Sequence, residues 1–331
     1  MDDAGLLHAA IRIHRVSRRR FLVGSGLGLG LATDLYVTRQ IQEYRQKTAL
    51  LALPDDYAET HFPTTSWILF PGYKTSWEEA RWILNSLRPA MKLRGQMAAV
   101  GYSNRGLDIN DIFAEVRRHI RITQLETVYF YGHSFGGMVA VQVAAMLREI
   151  GVSVKVILMD SSPQSKYDVL DQAWFDGVVY LYEHGYRIPS VFRGGYELSE
   201  RVVHKNERSW RQILNQALEQ LSPLAPSSVL IQSESAYIYE YDAIRFRNRL
   251  GDTSLVWFGN PEDGTVNYQS ARTSWAETFP RNMVSNDRVT VGAVPAHASP
   301  QWNPGIYEAV LKDIFAKLLP LPARGGLKRI N

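Results

Sequence analysis

The chain contains no cysteine. That absence removes a thiol nucleophile, thiolate zinc sites, disulfide bridges and a lipid-modified N-terminal cysteine from the chemistry open to it. Long apolar runs are scarce too. The glycine-rich stretch Phe21 to Ala32 spans only about twelve residues, short of the roughly twenty that a membrane-crossing helix needs, and Asp34 stops it from continuing. No basic tract interleaved with aromatic residues is present, so a nucleic-acid partner has no support. Internal repeats are absent, and so are low-complexity segments beyond the N-terminal stretch.

Charge is unevenly placed. The net charge of +4 is mostly a property of the first 32 residues, where Arg12, Arg15, Arg18, Arg19 and Arg20 face only Asp2 and Asp3. That leader carries +3, which leaves +1 for the other 299 residues, a nearly neutral body. With 331 residues and 45% hydrophobic content, the chain can bury a large core and suits one sizeable α/β domain with an insertion.

Within the leader, Ser17-Arg18-Arg19-Arg20-Phe21-Leu22-Val23 resembles the bacterial twin-arginine export consensus S-R-R-x-F-L-K, departing only at the last residue. The apolar stretch after it has the length of a signal h-region, and Gly30-Leu31-Ala32 offers a small-x-small cleavage site. The expectation is export through the twin-arginine machinery to the cell envelope or beyond, or membrane association through an uncleaved N-terminus. Residues 1–32 are therefore set apart as signal or anchor. Residues 33–63 form a lead-in in which Leu35, Ile41, Tyr44, Leu50 and Leu51 follow a helical pattern.

From residue 64 to 320 strands and helices alternate, which predicts a mainly parallel sheet covered on both faces. The predicted strands are Trp67–Phe70, Met97–Val100, Thr127–Tyr131, Val154–Asp160, Ser254–Phe258 and Arg288–Val294. The predicted helices run from about Trp77 to Met91, Asp108 to Ile122, Met138 to just before Gly151, Val229 to Leu250, and from Pro304 onward. Residues 163–226 break the rhythm. They are helix-like and rich in aromatics (Trp174, Phe175, Tyr180, Tyr182), and are read as a helical cap inserted over the strand ends. Residues 321–331 are a tail.

The run Gly132-His133-Ser134-Phe135-Gly136 lies between a β-branched, aromatic strand and an apolar helix. A serine hydroxyl is a poor nucleophile unless it is held exposed beside a base and amide donors, and a sharp strand–turn–helix corner holds it so. With the strand-Pro71-Gly72 turn, an acid after a late strand and a histidine after the last strand, the chain resembles the α/β-hydrolase family over residues 64–320. The fold this implies is α/β, a mainly parallel central sheet flanked by helices, with an inserted helical cap.

The resemblance further implies a triad in the chain order Ser134, Asp263, His297. Of eight histidines only His297, in Val294-Pro295-Ala296-His297-Ala298, follows a terminal strand. His133 adjoins Ser134 but points away by strand geometry. Asp263, in Asp263-Gly264-Thr265-Val266, resembles the family's acid loop; Asp160 occupies the alternative place for the acid, and Glu262 is a third choice. The amides of Phe135 and Tyr73 are the expected oxyanion donors, and their side chains the expected lining of an acyl pocket. Many relatives carry histidine where this chain has Pro71, and Phe70-Pro71-Gly72 is similar to the F-P-G of thioesterase-like members.

The implied activity is hydrolysis of a small-molecule ester or thioester through an acyl-enzyme, with no metal or organic cofactor; the aromatic density of the expected cap suggests a moderately apolar substrate. The same machinery serves thioesterases, acyltransferases and cofactor-free haloperoxidases or lyases. A non-catalytic envelope protein of this fold is the reading from outside enzymology.

Overall fold

Seven stretches of extended chain pair into a single sheet in the computed structural model, which describes residues 44–170 and 226–320. In chain order they are β1 (Ala49–Leu53), β2 (Thr65–Phe70), β3 (Gln96–Gly101), β4 (Thr127–His133), β5 (Val154–Asp160), β6 (Ser254–Gly259) and β7 (Met283–Val289). In space the order is β1-β3-β2-β4-β5-β6-β7. Only β1, on β3, is antiparallel; every other pairing is parallel.

Parallel neighbours need long crossovers, and helices supply them, which buries the strands on both faces. The described helices are α1 (Asp56–His61), α2 (Trp77–Met91), α3 (Ile109–Ile122), α4 (Gly136–Glu149), α5 (Ser228–Glu240), α6 (Tyr268–Thr278) and α7 (Pro304–Leu318). In β2 the two-residue period divides the apolar run between two cores. Trp67 and Leu69 join Ile83, Leu84, Leu311 and Phe315 of α2 and α7, whereas Ile68 and Phe70 join Met138 and Val139 of α4 and Val116 of α3. Local chemistry sets the helix starts. Ser76 accepts from the Glu79 N–H, Asp108 from the Asn110 and Asp111 N–H groups, and Pro304 occupies the first turn of α7.

Three expectations shift. Residues 49–53 form a strand, not a continuation of a helix: five apolar residues do not reveal their period, and the open edge of β3 takes them into the sheet. The last strand is Met283–Val289, not Arg288–Val294. As an edge strand it is half exposed and reads as polar, while Thr290–Val294 turns at Gly292, which has φ +83°. The helix expected over Val229–Leu250 stops at Glu240. Tyr241 is extended, and the Asp242 carboxylate takes the Ile244 N–H to open a short 3₁₀ turn, Ala243–Phe246.

Of the expected cap, residues 163–170 and 226 are described. Asp168 accepts the Gln164 and Ser165 amides there, and Val169 bridges to Val266. Residues 171–225, the leader 1–32, the lead-in before residue 44 and the tail 321–331 lie outside the described residues. Among the described residues, no helix is long and apolar enough to cross a membrane.

Candidate active site

Ser134 sits at the corner between β4 and α4 with φ +52°, a left-handed conformation that costs a side-chain-bearing residue about 1–3 kcal/mol. The corner is held from both sides: the Ser134 N–H bonds the Asp160 carbonyl at 2.8 Å, and the Ser134 carbonyl accepts from the Gly137 N–H at 3.0 Å. The flanking glycines are needed for contact as much as for flexibility. A Cβ at Gly132 would lie 2.3 Å from the Gly137 Cα, and one at Gly136 would lie 2.0 Å from the Phe70 carbonyl oxygen. Strand β4 therefore runs directly against α4, and the first turn of α4 abuts the end of β2.

The loops after β6 and β7 bring two more groups to this corner. His297 Nε2 is 2.7 Å from Ser134 Oγ, and His297 Nδ1 is 2.7 Å from Asp263 Oδ2. The other carboxylate oxygen of Asp263 accepts from the Thr265 N–H at 2.8 Å and the Val266 N–H at 3.0 Å. The Asp263 side chain is 2% exposed and that of His297 18%. These contacts fix the tautomer. A carboxylate can only accept, so Nδ1 carries the hydrogen and Nε2 presents its lone pair to the serine hydroxyl, as a general base requires.

Asp160 does not reach His297. It is fully buried at the end of β5, with Oδ2 accepting from the Tyr131 hydroxyl at 2.8 Å and Oδ1 from that of Tyr307 at 3.3 Å. Burial pushes its carboxyl up to about 7. Glu262 is exposed. Of the three acids considered from the sequence, Asp263 alone is bonded to the imidazole.

His133 turns away from Ser134. Its Nε2 donates to the Ala298 carbonyl at 2.6 Å, next to His297, and among the described residues its Nδ1 has no partner. Burial, followed by the nearby His297, lowers its pKa to about 4, so the ring is neutral. A Cβ at Gly72 would lie 2.6 Å from that Nδ1. An imidazole thus stands against the Pro71-Gly72 turn after all, supplied from position 133.

The two expected amide donors lie on abutting pieces of backbone. Phe135 precedes the first residue of α4, and among the described residues no acceptor binds its N–H. Tyr73 lies in the turn after β2, which the Thr75 N–H to Gly72 carbonyl bond (3.2 Å) and the Tyr102 hydroxyl to Pro71 carbonyl bond (3.2 Å) close. The Phe135 ring is 1% exposed and packed edge-on against Tyr102 and Tyr237, so it belongs to the core around the site; the Tyr73 ring is half-buried.

One group here was not foreseen. Glu234 of α5 is fully buried and bonded through Oε2 to the Lys74 N–H at 3.1 Å, and Oε1 has no partner among the described residues. Burial pushes its carboxyl up to about 8. The available signal was a charged residue on an apolar helical stripe, three or four places from Leu230, Ile231 and Ile238. Among the described residues, no cluster of three His, Asp or Glu side chains could hold a metal ion.

The family model for the thioesterase domain matches residues 82–173, a span that includes Ser134 but neither Asp263 nor His297. No curated protein matches the chain. Among solved structures it is similar to a lipase-esterase related protein from Clostridium acetobutylicum, at 9% identity over 81% of this chain and 98% of that one, with a TM-score of 0.56. It is also similar to a carboxylesterase from Nitrososphaera gargenis (14% identity, 81% and 94% covered, TM-score 0.53). The Vlm2 thioesterase domain is a third (16% identity, 83% and 99% covered, TM-score 0.52). The fold is that of the α/β hydrolases.

Proposed function

We propose that the chain is a serine hydrolase that cleaves a moderately apolar acyl ester or thioester through an acyl-enzyme. The single observation that carries this is the file Ser134 Oγ, His297 Nε2 and Nδ1, Asp263 Oδ2, with both spacings at 2.7 Å. In the first half-reaction Ser134 Oγ bonds the acyl carbon while its proton passes to His297 Nε2; that proton then goes to the departing alcohol or thiol. Asp263 holds the ring and stabilises the imidazolium. Water, deprotonated by the same nitrogen, then attacks the acyl-enzyme and releases the acid. The amides of Phe135 and Tyr73 are the donors for the tetrahedral oxyanion, each such donor being worth roughly 2.7–4 kcal/mol to the transition state.

Between the two leaving groups, the thioesterase family match favours the thioester. The test is to follow p-nitrophenyl butyrate and an S-butyryl thiol ester side by side, with wild type and Ser134→Ala. Because the chain has no cysteine, a thiol-reactive dye reads only released thiol. Turnover of at least one substrate, lost in Ser134→Ala, is expected; equal turnover by both proteins refutes the reading. For location, the proposal is export through the Arg18-Arg19 motif. Arg18→Lys with Arg19→Lys should trap the protein inside the cell, and unaltered export would overturn that part.

A further inference from the structure

The turn that carries Tyr73 is fastened to α5 at two consecutive residues. The Lys74 N–H donates to Glu234 Oε2 at 3.1 Å, and the Tyr73 hydroxyl lies 2.8 Å from Ser235 Oγ, which in turn reaches the Ile231 carbonyl at 3.0 Å within α5. Lys74 needs such a hold. Its φ of +61° places a side-chain-bearing residue in the left-handed region, which a turn keeps only when its surroundings impose it. A water-exposed acceptor would leave that backbone free to relax, whereas Glu234 is fully buried and fixed on a thirteen-residue helix.

Stability does not explain an acid at this place. A buried carboxyl with one oxygen unpartnered costs free energy that an apolar residue on the same stripe would avoid. Among the described residues, the one bond it makes is to the peptide joining Tyr73 to Lys74, one residue beyond the amide assigned above to the oxyanion. Resting on the serine-hydrolase reading above, we propose that Glu234, assisted by Ser235, is a positioning residue that sets the Tyr73 amide in the oxyanion site by holding the left-handed Lys74 peptide. Among the described residues, the charged and titratable groups facing Glu234 are Lys74 from the turn and the Tyr102 hydroxyl from beyond β3. With its carboxyl held up near 8 by burial, the acceptor is uncharged at neutral pH and does not oppose the developing oxyanion.

The experiment is steady-state kinetics on p-nitrophenyl butyrate with full-length Glu234→Gln, Glu234→Leu and Ser235→Ala, each checked for a wild-type melting profile. A misplaced oxyanion donor costs on the order of 10²-fold in kcat. Glu234→Leu should therefore lose roughly ten- to hundredfold in kcat with KM nearly constant. Glu234→Gln keeps a carbonyl acceptor for the Lys74 N–H and should recover most of that loss. Ser235→Ala, a helix-compatible change that removes the Tyr73 contact together with a bond internal to α5, should give a smaller fall in kcat. It keeps the idea testable should Glu234→Leu fail to fold.

Equal kcat in Glu234→Leu and wild type, or equal losses in Gln and Leu, would overturn the assignment. Phosphonate labelling of Ser134 in the wild type separates the two readings. If Ser134 does not label, the hydrolase reading itself fails; if it labels and the Leu variant keeps its kcat, only the role of Glu234 does.

Discussion

Replacing Asp263 by asparagine changes one atom and should nearly abolish turnover, for a reason the hydrogen bonds specify. One carboxylate oxygen of Asp263 is pinned by two backbone donors, Thr265 N–H at 2.8 Å and Val266 N–H at 3.0 Å. An asparagine must keep its carbonyl oxygen there, since an NH₂ group facing two N–H donors is repelled. Its NH₂ then faces His297 Nδ1, where Oδ2 now lies at 2.7 Å. A donor at that place forces Nδ1 to become the acceptor and moves the ring hydrogen to Nε2, so the lone pair facing Ser134 is lost. In the serine-protease template an aspartate-to-asparagine change of this kind costs about 10⁴ in kcat, equivalent to about 5.4 kcal/mol of barrier. The assay is kcat on p-nitrophenyl butyrate at pH 7.5 for Asp263→Asn and Asp160→Asn, with folding checked by circular dichroism. A fall of three to four orders of magnitude is expected for the first and less than about tenfold for the second. A reversed ranking, or an Asp263→Asn enzyme within tenfold of wild type, would refute the tautomer argument.

Other outcomes follow from the same contacts. Burial raises the pKa values of Asp160 and Glu234 to near 7 and 8, against 3.8 and 4.5 ordinarily. Their contribution to stability is fully present below the unfolded values and is lost as pH rises through the folded ones. Melting temperature should therefore decline between about pH 4 and pH 8, and Asp160→Asn with Glu234→Gln should flatten that decline; an unchanged slope would count against it. His133 has the opposite sign. Its folded pKa near 4 lies below the ordinary 6.5, so its contribution is present above 6.5 and lost as pH falls through 4. His133→Leu leaves the Ala298 carbonyl unpaired, at a cost of about 1–3 kcal/mol, and should lower kcat, whereas His133→Gln can keep the Nε2 donor; urea unfolding and kinetics read both. Gly136→Ala places a methyl 2.0 Å from the Phe70 oxygen, so main chain must move. Its unfolding free energy should drop by about 3 kcal/mol or more in urea titrations.

The parts of the molecule legible from sequence are those where local chemistry and burial agree. Trp77–Met91 has a serine cap before it and one apolar face, and it forms where expected. Trp67–Phe70 and Val156–Met159 are apolar throughout because they lie inside a parallel sheet. The edges were harder. Ala49–Leu53 is too short to show a period, and Met283–Val289 is polar because one side meets solvent, so only their neighbours define them as strands.

The glycine–serine–glycine corner was readable because its steric demands leave little choice of residue. The pairing of His297 with Asp263 over Asp160 was not readable from spacing, since Asp160 ends β5 and Asp263 follows the end of the neighbouring parallel strand β6. It depends on Tyr131 and Tyr307, which occupy both oxygens of Asp160. Glu234 was visible only as a charge on an apolar stripe, and its bond to Lys74 spans 160 residues, beyond any local pattern.

The central claim is that Ser134 is a nucleophile activated by His297, and covalent capture tests it most directly. Full-length protein should be treated with a fluorophosphonate probe and digested, and the modified peptide identified by mass spectrometry. The expected result is one phosphonyl group, on Ser134, formed quickly in the wild type and at least a hundredfold more slowly in His297→Ala. Modification of a different residue, or a rate indifferent to the loss of His297, would contradict the account.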